Sequence, residues 1–145
     1  MCVICDVPFK SLNKWLRIYC NKCPNLTIIP TFKNLTNLHI SSCENLVIFN
    51  DQPKVKLLTL INAPKLTSLP NLPNLTGLEI FDCVLITSFP IYPKIKSLYI
   101  SNISLTTLPT SDTLNVLECE LMSQLVSLPL YPNIGYKVWK MLQIN

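Results

Sequence analysis

A short apolar pattern recurs six times along this chain, almost always at an interval of 20 residues, and it limits the fold more than any other feature. In register, the copies open at Trp15, Leu35, Val55, Leu75, Ile95 and Leu114. Three positions on stand Ile18, Leu38, Leu58, Leu78, Leu98 and Leu117, and two further on Cys20, Ile40, Leu60, Ile80, Ile100 and Cys119. Next come Cys23, Cys43, Ala63, Cys83, Ile103 and Met122, then Leu26, Leu46, Leu66, Ile86, Leu105 and Leu125. Each unit closes on a pair: Ile29-Pro30, Phe49-Asn50, Leu69-Pro70, Phe89-Pro90, Leu108-Pro109 and Leu128-Pro129. The phase slips once, by a single residue missing between Ile100 and Leu105. A fixed period of this length predicts one domain over 1–145, built of stacked units that cannot bury their apolar faces alone. Six full units span 13–132, with partial units over 1–12 and 133–145.

Within each unit the x-L-x-L-x stretch alternates with period two, the pattern of a strand buried on one face. Stacked at roughly 4.8 Å, six such strands make a parallel sheet about 25–30 Å across. The return half is too short and too rich in proline for an α-helix. Pro70 and Pro73, Pro90 and Pro93, and Pro129 and Pro132 fix φ and remove donors, which predicts extended, polyproline-like or short 3-10 backbone. A thin back side predicts shallow curvature.

The unit L-x-x-L-x-L-x-x-C-x-x-L-x-x-L-P-x-L-P resembles the leucine-rich repeat family, in a short form with Cys where many members carry Asn. The resemblance runs from Val3 to Trp139. Stretches such as Cys23-Pro24-Asn25-Leu26 through Pro30 are similar to repeats of plant immune receptors and of large DNA viruses of protists. The Leu69 to Pro73 tail resembles short repeats of bacterial effectors. The resemblance implies a leucine-rich repeat solenoid whose concave strand face binds another protein. In the family, the Asn forms a ladder of side-chain bonds to the loop backbone. Cys donates weakly, and Ala63 and Ile103 not at all, so packing is the expected role of this column here.

Composition narrows the function. The chain is 49% hydrophobic and 14% charged, with a mean hydropathy of +0.36. Even so, no run of about 18 apolar residues exists, so no membrane span is expected. Met1 to Leu16 holds Asp6, Pro8, Lys10 and Lys14 and lacks a signal-peptide layout. A cytoplasmic location is therefore expected, or the host cytoplasm if the chain is viral. Seven Cys is an odd number, and Cys20, Cys23, Cys43, Cys83 and Cys119 fall in apolar slots, which fits buried, reduced thiols. Acceptor sequences at Asn25, Asn34, Asn74 and Asn102 read as by-products of the repeat. The net charge of +4 comes from Lys scattered along the chain, without the block that marks nucleic-acid binding.

Two site readings compete with a bland one. Cys2-x-x-Cys5 and Cys20-x-x-Cys23 approach the spacing of a four-thiolate zinc site, giving a zinc-stabilised N-terminal module as one alternative. The repeat register already accounts for Cys20 and Cys23, so no metal or other cofactor is expected. Catalysis has a single His, His39, and no nucleophile–base pattern, so no enzyme is expected. Glu118 and Glu120 read as a solvated pair.

The outward strand columns carry the positive reading. They run Tyr19, His39, Thr59, Glu79, Tyr99, Glu118; then Asn21, Ser41, Ile61, Phe81, Ser101, Glu120; and Arg17, Asn37, Leu57, Gly77, Ser97, Val116. Apolar and aromatic residues on adjacent strands mark an interaction patch. Tyr19, His39, Ile61, Glu79, Phe81 and Tyr99 are the expected partner-binding residues. The other alternative is a structural segment of a longer array, self-associating through uncapped ends. Val3, Phe9 and Leu12 fit the tail of a preceding unit, and Tyr136 to Leu142, with Trp139 and Met141, a partial lid.

Overall fold

The computed structural model describes Ile4 and residues 14–140. The expected partial unit over 1–12 (Ile4 apart), Cys2, Cys5 and residues 141–145 lie outside the described residues. Nine strands follow one another: β1 (Arg17–Asn21), β2 (Ile28–Ile29), β3 (Asn37–Ser41), β4 (Ile48–Phe49), β5 (Leu57–Ile61), β6 (Gly77–Phe81), β7 (Ser97–Ser101), β8 (Val116–Glu120) and β9 (Tyr136–Lys140). The seven five-residue strands form one parallel sheet in the order β1-β3-β5-β6-β7-β8-β9, and β2 pairs with β4 on the return side. Residues 14–140 contain no helix. The molecule is a β-solenoid, and its return segments are extended, as the prolines require.

Period-two alternation sets the core. Ile18, Leu38, Leu58, Leu78, Leu98 and Leu117 are buried in one inward column, and Cys20, Ile40, Leu60, Ile80, Ile100 and Cys119 in the next. The slot that opens each unit is buried at Leu35, Val55, Leu75, Ile95 and Leu114, whereas Trp15 is 39% exposed. Trp15 leads into β1, the outermost described strand, with a neighbouring unit on one side only among the described residues.

Pairing keeps an offset of 20, as in Arg17↔Asn37 and Gly77↔Ser97, until β7 meets β8 at Ser97↔Val116. The missing residue is therefore absorbed between these strands. In the other full units a tight turn follows the strand, with Leu26 N–H donating to Cys23 O (3.3 Å), Leu46 to Cys43, Leu66 to Ala63, Ile86 to Cys83 and Leu125 to Met122. Ile103 and Leu105 are one residue too close for that turn, and the Ser104 hydroxyl donates to Val84 O instead (2.7 Å).

Backbone bonds run both ways between units. Before each strand the later unit donates to the earlier, as Thr36 N–H to Leu16 O and Lys56 N–H to Thr36 O. After each strand the earlier donates to the later: Lys22 N–H to Ser41 O, Ser42 to Ile61, Asn62 to Phe81 and Asp82 to Ser101. The donors in this second set, with Asn102 N–H to Glu120 O, have left-handed backbone, φ being 52–56° at Lys22, Ser42, Asn62, Asp82 and Asn102, and Leu121 at the equivalent position has a φ of 53°.

A side-chain ladder also exists, but outside the Cys column. Gln52 is completely buried, accepts from Phe32 N–H (3.0 Å) and donates to Pro30 O and Asn50 O (2.8 Å each). Tyr92 and Tyr131, in the same column, donate to Pro70 O (3.2 Å) and Pro109 O (3.1 Å). The Cys column does contribute weakly, through Cys43 Sγ to Ser41 O (3.5 Å) and Cys83 Sγ to Phe81 O (3.4 Å).

Two expectations are corrected. Tyr136–Lys140 is a seventh parallel strand in register with β8 (Val116↔Tyr136), and no lid, because the β8 edge offers free backbone groups that a strand satisfies. Among the cysteines, Cys23, Cys43, Cys83 and Cys119 are buried thiols outside any disulfide, but Cys20 is disulfide-bonded. Cys20 lies on the outermost described strand, where its slot is not flanked by a unit on both sides among the described residues. A sulfur in a disulfide is not a thiolate ligand.

Candidate functional site

Strand alternation turns three columns of side chains outward. In the central column Tyr19, His39, Thr59, Glu79, Tyr99 and Glu118 are direct register partners on successive strands. Such partners stand about 4.8 Å apart. Ser41, Ile61, Phe81, Ser101 and Glu120 form the column beside it.

All six expected residues lie on this face, in two groups. At the N-terminal end Tyr19 is 64% exposed, and its ring centroid is 5.8 Å from that of the half-buried His39, tilted by 35°. With Asn37, Leu57 and Thr59 these rings line a depression of about 140 Å³. Further along, Ile61 and Phe81 are register partners across β5 and β6, and both are half-buried. Tyr99 follows on β7, also half-buried, and Glu79 beside it is exposed. A second depression of about 140 Å³ is lined by Phe81, Tyr99, Ile100, Ser101, Glu118 and Glu120. Thr59 links the two groups: its hydroxyl donates to Glu79 Oε2 at 3.0 Å, and its strand neighbour is His39.

Two residues outside the expected six belong to the face. Leu57 is 48% exposed and leans over Gly77, where an added Cβ would stand 2.8 Å from Leu57 Cδ2 and 3.2 Å from Ser97 Oγ. The absent side chain at Gly77 is what lets Leu57 lie across the strands. Its signal in the sequence was the large–nothing pairing of Leu57 with Gly77 in one outward column. Glu118, read from sequence as solvated, lines the second depression, and its signal was its place directly after Tyr99 in the central column.

Three lysines are held elsewhere. Lys54 donates to Asn34 Oδ1 (2.9 Å), Lys65 to Asn45 Oδ1 (2.6 Å) and Lys94 to Asn74 Oδ1 (2.6 Å), all in turns between units. Asn34 and Asn74, two of the acceptor-sequence asparagines, are thus parts of the inter-unit scaffold. The face displays rings, aliphatic groups and carboxylates at fixed spacing. Comparison with known protein families, with curated proteins and with solved structures finds no match for this chain.

Proposed function

We propose that this chain is a non-enzymatic interaction module of the leucine-rich repeat type that docks another protein on its strand face. The observation carrying this reading is the placement of Leu57, Ile61, Phe81 and Tyr99 on outward positions of adjacent strands, beyond what the inward columns need to fill the core. Contiguous apolar side chains on a surface favour association. The hydrogen-bonded lattice beneath them holds those groups in place, so little conformational entropy is lost on docking. The repeat pattern and the parallel solenoid support the family reading.

Replacing Phe81 and Tyr99 together by Ala tests the proposal. The double variant is expected to keep its fold and lose capture of its partner from native lysate, since a central aromatic contributes about 2 kcal/mol or more to such interfaces. Lys65→Ala and Lys94→Ala, in the turns, are the controls. A double variant that keeps its partner while the controls lose it overturns the assignment.

Self-association is the second reading, favoured by the terminal positions of β1 and β9 in the sheet order among the described residues. Sedimentation over a range of concentrations separates it from docking of a different protein. No helix among the described residues is long and apolar enough to cross a membrane. The cytoplasmic setting belongs to this proposal and is supported by the four buried thiols that form no disulfide. The Cys20 disulfide is what an oxidising compartment preserves. The redox state of Cys20 in protein from its native source decides between them.

A further inference from the structure

We infer that the strand face over β6, β7 and β8 recognises a basic side chain, an arginine or lysine carried on an extended segment of the partner. This rests on the reading of the strand face as the docking surface and names the chemistry of what docks there.

Charge is segregated over β1 to β8 of this face. The chain carries 12 Lys and Arg against 8 Asp and Glu. Yet the outward positions of β6, β7 and β8 hold Glu79, Glu118 and Glu120 and neither Lys nor Arg. Those of β1, β3 and β5 hold Arg17 and His39 and no carboxylate. From β1 to β8 the face is therefore graded, with Lys140 of β9 in register with Glu120 beyond it, and such a gradient orients a charged partner as well as attracting it.

Within the acidic half an aromatic ring sits between two carboxylates. Tyr99 is the direct register partner of Glu79 on one side and of Glu118 on the other. Phe81, one column over, lines the same depression as Tyr99, Ser101 and Glu118. A ring attracts a cation through its quadrupole, and flanking carboxylates add a Coulomb attraction of the same sign. Thr59 holds the Glu79 carboxylate through a neutral hydroxyl and so fixes it without cancelling its charge. Glu120 has an interaction of its own within the chain, so the recognition depends on Glu79 and Glu118. The combination suits a side chain with an apolar stem and a cationic head, the stem against Phe81 and the head between Tyr99 and the carboxylates.

The test uses the intact chain, isotopically labelled, and a short synthetic peptide alternating arginine and serine. The control peptide carries citrulline for arginine, which keeps the shape and removes the charge. The arginine peptide is expected to shift the amide resonances of β6, β7 and β8, weaken with added salt, and bind about tenfold or more weakly to the Glu79→Gln, Glu118→Gln variant. Both substitutions are isosteric and outward, and circular dichroism checks that the variant is folded. Equal binding of the citrulline peptide, shifts confined to other strands, or undiminished binding to the Gln variant overturns the inference. If the arginine peptide fails while Phe81→Ala with Tyr99→Ala still abolishes partner capture, the cationic ligand is wrong and the docking face stands. If that variant keeps its partner, the docking face falls too.

Discussion

At Leu121 the backbone has a φ of 53°, a conformation that costs a residue with a Cβ roughly 1–2 kcal/mol and that a branched apolar side chain does nothing to offset. The equivalent positions carry Asn62, Asp82 and Asn102, whose short polar side chains suit it better. Leu121→Asn is therefore expected to stabilise the fold by about 1 kcal/mol, read as a rise in the urea midpoint. Gln52 presents the opposite case. It accepts from Phe32 N–H and donates to two carbonyls while itself fully buried, so Gln52→Ala should cost roughly 2–4 kcal/mol in the same assay. The thiol of Cys83 gives a pH dependence. Burial raises it from 9.0 to about 11, and Cys43 is raised for the same reason. The unfolded chain ionises first as pH rises, so this stability is complete below pH 9.0 and is lost through about 11. Denaturation midpoints should fall over that window, and Cys83→Ala, which copies Ala63 in the same column, should flatten the fall. The repeat register had already marked Cys83 as a buried thiol, whereas neither Leu121 nor Gln52 announced itself in the sequence. No glycine marks the left-handed positions, and Gln52 interrupts a column whose other members include Phe32, Leu72, Tyr92 and Tyr131.

For the strands, the period-two pattern left little ambiguity, because one face had to be buried and a one-residue shift would expose the whole apolar set. That is why the six strands with two apolar inward residues were readable, and with them the outward columns of the candidate site. The seventh was not: β9 sets Lys137 in register with Leu117, and the alternation that marks a strand is broken there. Pairing with the edge of β8 supplies what the side-chain pattern withholds. The two depressions were unreadable for another reason, since they depend on how side chains lean, as Leu57 does over Gly77. The shortened unit offers a direct check on where register is fixed. Inserting one Asn between Ile103 and Ser104 restores the length of the turn and should change stability by less than about 1 kcal/mol. The same insertion between Tyr99 and Ile100 turns the rest of β7 inside out and should abolish cooperative unfolding, followed by circular dichroism.

Across the whole molecule, each unit touches its neighbours in the stack and little else, so stability is a sum over units and their junctions. The interior strands β3, β5, β6, β7 and β8 each pair on two sides, and β1 and β9 on one among the described residues. Amide exchange is accordingly expected to be slowest in β5 and β6 and faster by about tenfold or more in β1 and β9. Uniform protection from end to end would show that the terminal strands are covered as well as the central ones. The two-way bonding between units has a consequence for how such a chain is made. On a ribosome the N-terminal units emerge first, and the amide of Lys22 has no acceptor until Ser41 has cleared the exit tunnel, nor Ser42 until Ile61 has. Every unit is thus finished only when the following one arrives. The nascent protein folds one unit in arrears, and its newest strand is always the template on which the next is laid.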